Sequence, residues 1–261
     1  VDGVVPTVVS VAVPADGSYK AGSELSFTVT ASEAVQIGGL PPRLVLNVGG
    51  VTRYATYVSG SGSAQLVFRY IVQNGDTDTD GIAVNTLDLR GESLTDLAGN
   101  NLNLTLNGLG STAGVVVDTT APNASGIARV DATPTNNGSV SFTVTFDEDV
   151  SGVVMSDFNL TLTGTASGTI ANVTSVDGQT YKVLVNGIGG VGTLGLDLNA
   201  SGTGIVDAAG NAITGGLTGA SYTIDRVAPS VVNVDVPAND TYVAGQNLDF
   251  TVHFNEAVQV D

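Results

Sequence analysis

Apolar and polar residues alternate over short stretches along the whole chain, and glycine-rich breaks separate the stretches. In ELSFTVTA, residues 24–31, Leu25, Phe27 and Val29 fall on one side and Ser26, Thr28 and Thr30 on the other. A period of two marks a half-buried strand, because successive side chains leave opposite faces. The same alternation, or a short apolar run, predicts strands at 7–13, 43–48, 52–58, 64–72, 82–89 and 102–117. Turns fall between them at Asp16-Gly17, Gly38-Gly39, Gly49-Gly50, 60–62, 75–81 and Gly99-Asn100. No useful length carries the helical period.

The pattern repeats. Residues 4–37 align without a gap to 227–260 at an offset of 223, with 19 of 34 positions identical, a density that requires duplication. A shorter period lies inside the longer one. Phe27-x-Val29-x-x-x-Glu33-x-Val35 recurs as Phe142-x-Val144-x-x-x-Glu148-x-Val150, and Asp96-Leu-Ala-Gly-Asn100 recurs as Asp207-Ala-Ala-Gly-Asn211. The hinge Asp118-Thr-Thr-Ala-Pro122 recurs as Asp225-Arg-Val-Ala-Pro229 and as Asp2-Gly-Val-Val-Pro6. The chain therefore divides into a first module at 1–118, a second of a different subtype at 119–225, and at 226–261 the truncated start of a third that resembles the first. Seven short strands in a module of roughly 100 residues predict an all-β fold of tandem immunoglobulin-like β-sandwiches in a linear array.

Composition narrows the function. A net charge of −17 repels phosphate backbones and anionic membrane surfaces, which excludes nucleic acid as a partner and suits cation binding. With no cysteine, disulfides and thiolate chemistry are absent. No 18-residue apolar run exists, so direct membrane insertion is not expected. No nucleophile–base arrangement is recognisable around the sole His253, so the chain is not expected to be an enzyme.

Three acidic elements converge on one pole of each sandwich. Glu33, Glu148 and Glu256 end the second strand of their modules, Asp2, Asp118 and Asp225 lie in the entering hinges, and Asp96 and Asp207 open the turn before the last strand. Clustered carboxylates repel unless a cation joins them, and oxygen donors without His or Cys suit Ca²⁺ better than Mg²⁺. The candidate ligands are Asp2, Glu33, Asp96 and Asn100; Asp118, Glu148, Asp207 and Asn211; and Asp225 with Glu256. Turn chemistry is the competing explanation, since Asp-x-Ala-Gly-Asn also makes a tight turn and a hinge Asp also caps one. Asp76-x-Asp78-x-Asp80-Gly81 copies the first half of an EF-hand loop. Its twelfth position is Leu87, which rejects a full EF-hand but leaves a β-loop calcium site or a solvated acidic turn.

Taken in order, Phe-x-Val with its following Glu-x-Val, the Asp-x-Ala-Gly-Asn turn and the Asp-x-x-Ala-Pro hinge resemble bacterial immunoglobulin-like repeats of large secreted RTX-type and biofilm adhesins. The resemblance implies an extender segment at the bacterial cell surface, stiffened by Ca²⁺ at its module junctions. Its partners would be neighbouring modules of the same long chain, or copies of itself in a filament. The hinges at 3–5 and 226–228 depart from the Thr-Thr pattern, and Arg226 sets a cation beside Asp225. The alternative is an adhesive module that binds a glycan or a protein. Tyr54, Tyr57 and Tyr70 alternate with apolar residues and read as strand packing, which favours the extender.

Overall fold

The computed structural model describes residues 2–259; Val1, Val260 and Asp261, at the ends of the first and third predicted modules, lie outside the described residues. The described chain is all β, with one short 3₁₀ turn at Met155–Asp157. The first module carries β1 (Val8–Ala12), β2 (Gly17–Tyr19), β3 (Glu24–Ile37), β4 (Arg43–Val48), β5 (Val51–Ser59), β6 (Ser63–Ile71), β7 (Thr77–Asp78), β8 (Ala83–Asp88), β9 (Leu94–Thr95) and β10 (Val115–Asp118). Seven strands follow in the second: β11 (Ala124–Arg129), β12 (Ser139–Phe146), β13 (Phe158–Leu162), β14 (Ser167–Ser175), β15 (Thr180–Gly189), β16 (Gly192–Leu198) and β17 (Leu217–Ile224). The remainder holds β18 (Val231–Asp235) and β19 (Thr251–Phe254).

In the second module β11-β12-β15-β14 form one sheet and β13-β16-β17 the other. Lettered A to G in chain order, these are sheets A-B-E-D and C-F-G, the constant-type immunoglobulin arrangement. The inward residues of both sheets, among them Phe142, Val144, Val183, Leu194, Leu196 and Tyr222, make a single core. Phe142 and Tyr222 meet edge to face at 5.1 Å.

The first module is built differently. Its larger sheet runs β1-β3-β6-β5-β4-β8, with β9 pairing the end of β3, and a three-stranded sheet β2-β10-β7 accompanies it. Leu25, Phe27, Val29 and Ala31 alternate inward along β3 and pack with Leu44, Leu46, Leu66, Phe68 and Val117 into a second core that shares no residue with the other. The predicted strand 102–117 is broken. Asn103 and Leu109 bridge in parallel to Thr7 and Val11, and only Val115–Asp118 form a strand, parallel to β2. Gly108 marks the break: its φ is +60°, and a Cβ there would lie 2.5 Å from the Val9 carbonyl, so only glycine lets the chain pass this close.

The β18–β19 hairpin repeats the β1–β3 register residue for residue. Val8 faces Ala31 and Val11 faces Val29 in the first module, and Val231 faces Phe254 and Val234 faces Val252 here. Its apolar residues are nonetheless exposed: Phe27 is fully buried, while its counterpart Phe250 is 60% exposed. The inward side chains are present without the strands that cover them in the first module.

Candidate metal centre

Two groups of three carboxylates form among the described residues: Asp2, Glu33 and Asp96, and Asp118, Glu148 and Asp207. In each group one oxygen per residue lies within 4.8 Å of the other two. Oxygens about 2.4 Å from one ion on opposite sides are separated by about that span, so each group fits within one coordination sphere and can hold a metal ion.

Strand pairing explains the convergence. β3 continues past its bulge near Glu33 until Gln36 and Ile37 pair with Thr95 and Leu94, which sets Glu33 beside Asp96. In the second module Ser151 and Val206 exchange backbone hydrogen bonds at 2.8 and 3.1 Å, which sets the Glu148 loop beside Asp207. An asparagine then ties in each hinge. Asn211 Nδ2 donates to the Asp118 carbonyl at 3.0 Å and to Asp207 Oδ2 at 2.7 Å, and Asn100 Nδ2 does the same to the Asp2 carbonyl at 3.4 Å and Asp96 Oδ2 at 2.7 Å. Both side-chain amides thus turn N–H groups toward the carboxylates. Through these bonds Asn100 and Asn211 brace the groups.

Turn chemistry is compatible with ion binding because a carboxylate has more than one acceptor site. Oδ1 of each hinge aspartate accepts the amide two residues on: Val4 for Asp2 at 3.0 Å, Thr120 for Asp118 at 2.9 Å and Val227 for Asp225 at 3.1 Å. The turn aspartates are buried. Asp96 Oδ1 accepts the Ala98 and Asn100 amides, both at 2.8 Å. Burial alone would raise the Asp96 pKa, but these bonds and the Asn100 side chain hold it below the usual value. The glutamates shift the other way. Burial, and then the charges of Asp118 and Asp207, raise Glu148; burial, and then Asp2 and Asp96, raise Glu33. Each group therefore repels itself unless a cation or a proton enters.

A second set of contacts crosses the first junction without any carboxylate. Lys20 Nζ, in the first module, donates to the Gly210 carbonyl of the Asp207–Asn211 turn at 2.8 Å. Thr119 in the hinge accepts the Gly75 amide at 3.0 Å and donates to the Asp76 carbonyl at 2.9 Å. The second hinge uses Arg226 in place of Thr119: its Nη1 donates to the Ile188 carbonyl at 2.7 Å and the Asn137 carbonyl at 3.3 Å. The guanidinium that the sequence sets beside Asp225 is thereby directed to backbone oxygens of the second module. Changing Lys20 to Ala together with Thr119 to Val should leave both cores intact and loosen this joint even in chelator. Small-angle scattering should then give a broader distribution of lengths, with melting temperatures unchanged; an unaltered distribution would leave these contacts no part in the joint.

The remaining candidates do not assemble. Among the described residues Asp225 and Glu256 belong to no group of three, and residues 226–259 contain no Asp-x-Ala-Gly-Asn turn to bring a third acid. Asp76, Asp78 and Asp80 are not brought together either. Strand spacing sends Asp76 and Asp78 inward and leaves Asp80 exposed. Asp76 Oδ1 is held by Arg53 through Nε at 2.8 Å and Nη2 at 2.7 Å, and Oδ2 accepts the Gln73 amide at 2.9 Å and the Tyr70 hydroxyl. Asp78 Oδ2 accepts the Gly49 amide at 2.6 Å. The acidic loop is therefore braced from within by Arg53, and it holds the hinge through Thr119. His253 is exposed and pairs with Asp235 at 2.6 Å.

No protein-family model matches the chain, and no curated protein matches it. Among solved structures it is similar to a marsupial T cell receptor, at 13% identity and a TM-score of 0.27, over 78% of this chain and 95% of the receptor chain. It is also similar to domains 4–9 of surface layer protein SbsC, at 16% identity and a TM-score of 0.23, over 90% of this chain and 34% of that one. Superpositions this loose carry no argument, and the immunoglobulin-like assignment rests on the strand order. No helix among the described residues is long and apolar enough to cross a membrane.

Sequence reasoning missed Lys20, Thr119, Arg53 and the hinge-holding role of Arg226. The signal was scarcity: with eight Lys and Arg against 25 acids, each cation has many oxygen acceptors to meet.

Proposed function

We propose that the chain is an extender segment of a secreted bacterial surface protein, made of modules at 1–118, 119–225 and 226–261 and stiffened by Ca²⁺ where they join. The observation that carries the reading is recurrence: two groups of carboxylates, each assembled from a hinge, a strand end and a turn. An oxygen-only donor set drawn from three separate elements suits the flexible, high-coordination sphere of Ca²⁺ more than the strict octahedron of Mg²⁺. An ion held by Asp118 from the hinge and by Glu148 and Asp207 from the second module removes freedom that the proline alone leaves. The reading includes no catalysis, and its partners are further modules of the same kind.

The test is small-angle scattering in calcium and in chelator on the whole chain and on Asp118→Ala. The wild type should narrow its distribution of lengths in calcium. Asp118→Ala should lose that response while each module keeps its melting behaviour, because in a repeat array cutting one junction removes only the nearest-neighbour contribution. A wild-type chain equally rigid in both buffers would remove calcium from the account.

A further inference from the structure

Two of the eight basic residues of this acidic chain meet in one cleft of the first module, whose lining includes no member of either carboxylate group. The cleft encloses about 410 Å³, within the roughly 300–1,000 Å³ of small-ligand sites. Pro41, Pro42, Tyr54 and Tyr57 wall it, and Arg43 and Arg90 line it. Tyr54 is exposed, in contrast to the strand packing its sequence pattern predicts.

Arg43 is held in place with its donors free. Its guanidinium lies 3.6 Å over the Tyr54 ring, and its Nε donates to Asp88 Oδ2 at 2.8 Å. That is its one hydrogen bond among the described residues, so the edge carrying the two terminal nitrogens remains open. A fork stacked on one face and anchored at Nε is pre-oriented for bidentate capture of a carboxylate.

Arg90 breaks a local rule. It and Gly91 are the centre of a turn closed by the Glu92 amide on the Leu89 carbonyl at 3.1 Å, and both have positive φ, +61° and +86°. Such a turn prefers Asn, Asp or Gly, and Arg90 is the one non-glycine residue at positive φ among the described residues. Its amide donates to Asp88 Oδ1 at 2.8 Å, while its exposed guanidinium bonds to no described residue. Asp88 thus places both arginines. Its own carboxyl lies below the usual range, first through the Arg90 amide and then through Arg43, so it stays ionised. Glycine would suit the turn better than arginine, and a rule broken without a packing gain points to a use for the side chain.

We propose that this cleft binds an acidic saccharide, with Arg43 and Arg90 holding its carboxylate and the tyrosine and proline wall packing on the C–H face of the sugar ring. An extended acidic peptide fits less well. The strand residues of the cleft belong to β4 and β5, which are both paired on either side, so those strands offer a peptide backbone no free edge. A densely charged polyanion is opposed by the net charge of −17. This inference does not rest on the junction reading.

The test uses the full chain in buffer freed of divalent cations, so that no ion can bridge saccharide to the carboxylate groups. Trigalacturonate, neutral trigalactose and triglutamate would each be titrated and followed by amide NMR shifts and calorimetry. Trigalacturonate is expected to shift residues around 41–43, 54–57 and 88–91, and the other two are not. Arg90→Gly should melt no lower than the wild type and bind trigalacturonate about tenfold or more weakly, the scale of one lost contact of about 1.4 kcal/mol. No shifts with trigalacturonate would overturn the proposal, as would equal binding of triglutamate or unchanged affinity in Arg90→Gly. A lower melting temperature for Arg90→Gly would make the residue structural and overturn its assignment.

Discussion

Calcium at about 10 mM is expected to stabilise the chain by roughly 1.4–2.7 kcal/mol per site, given dissociation constants of about 10⁻⁴–10⁻³ M for extracellular modules. With two carboxylate groups the total reaches roughly 3–5 kcal/mol. Melts in calcium and in chelator read this directly, and coincident curves would defeat it. Glu148→Gln gives a sharper version. Burial and the charges of Asp118 and Asp207 raise the Glu148 pKa, so its ionised form is unfavourable in the empty group. Removing that charge should stabilise the chain in chelator and weaken its response to calcium. The same substitution thus changes sign between buffers, a result that loss of an ordinary structural contact does not produce.

Arg53→Met is expected to destabilise the chain at pH 7, because it leaves the buried Asp76 carboxylate without its cation. The Asp76 side chain is fully buried, and Arg53 is its cationic partner. Burial raises the Asp76 pKa, but the bonds from Tyr70, the Gln73 amide and Arg53 more than offset this and hold it below the usual carboxylate range. Burial and the neighbouring Asp76 carboxylate push the Tyr70 phenol up to about 12, so it remains a donor at neutral pH. The sign of the pH dependence follows. A depressed folded pKa stabilises above the unfolded value and loses that contribution as pH falls through the folded one. Without Arg53 the carboxylate is buried without its cation and takes up a proton more readily on folding, so the deficit of the variant should shrink toward pH 3. Urea unfolding at pH 7 and pH 3 measures both; no deficit at pH 7, or one equal at the two pH values, would contradict the pairing. Because the Asp76 loop carries the acceptor for Thr119, the same variant should also loosen the first hinge.

Much of this protein is a local matter. Alternation in ELSFTVTA determines β3, because a period of two admits one inward face, and duplication at an offset of 223 carries the same pairing register into β18 and β19. Even the meeting of hinge, strand end and turn was legible, since strand direction alone assigns each acid to a pole. Other features depend on contacts distant in sequence. The 102–117 run reads as one strand and is broken where Gly108 passes the Val9 carbonyl. The Asp76–Asp80 run reads as a metal loop or a solvated acidic turn, yet Arg53, 23 residues earlier, takes its first carboxylate. The amides of Asn100 and Asn211 read as ligands, and the fold also makes them braces, because their N–H groups reach the carboxylates and the hinge carbonyls. Lys20 meets Gly210 across 190 residues. Periodicity records which face a residue takes, a property of the backbone beside it; the partner it finds there is decided by where the rest of the chain returns.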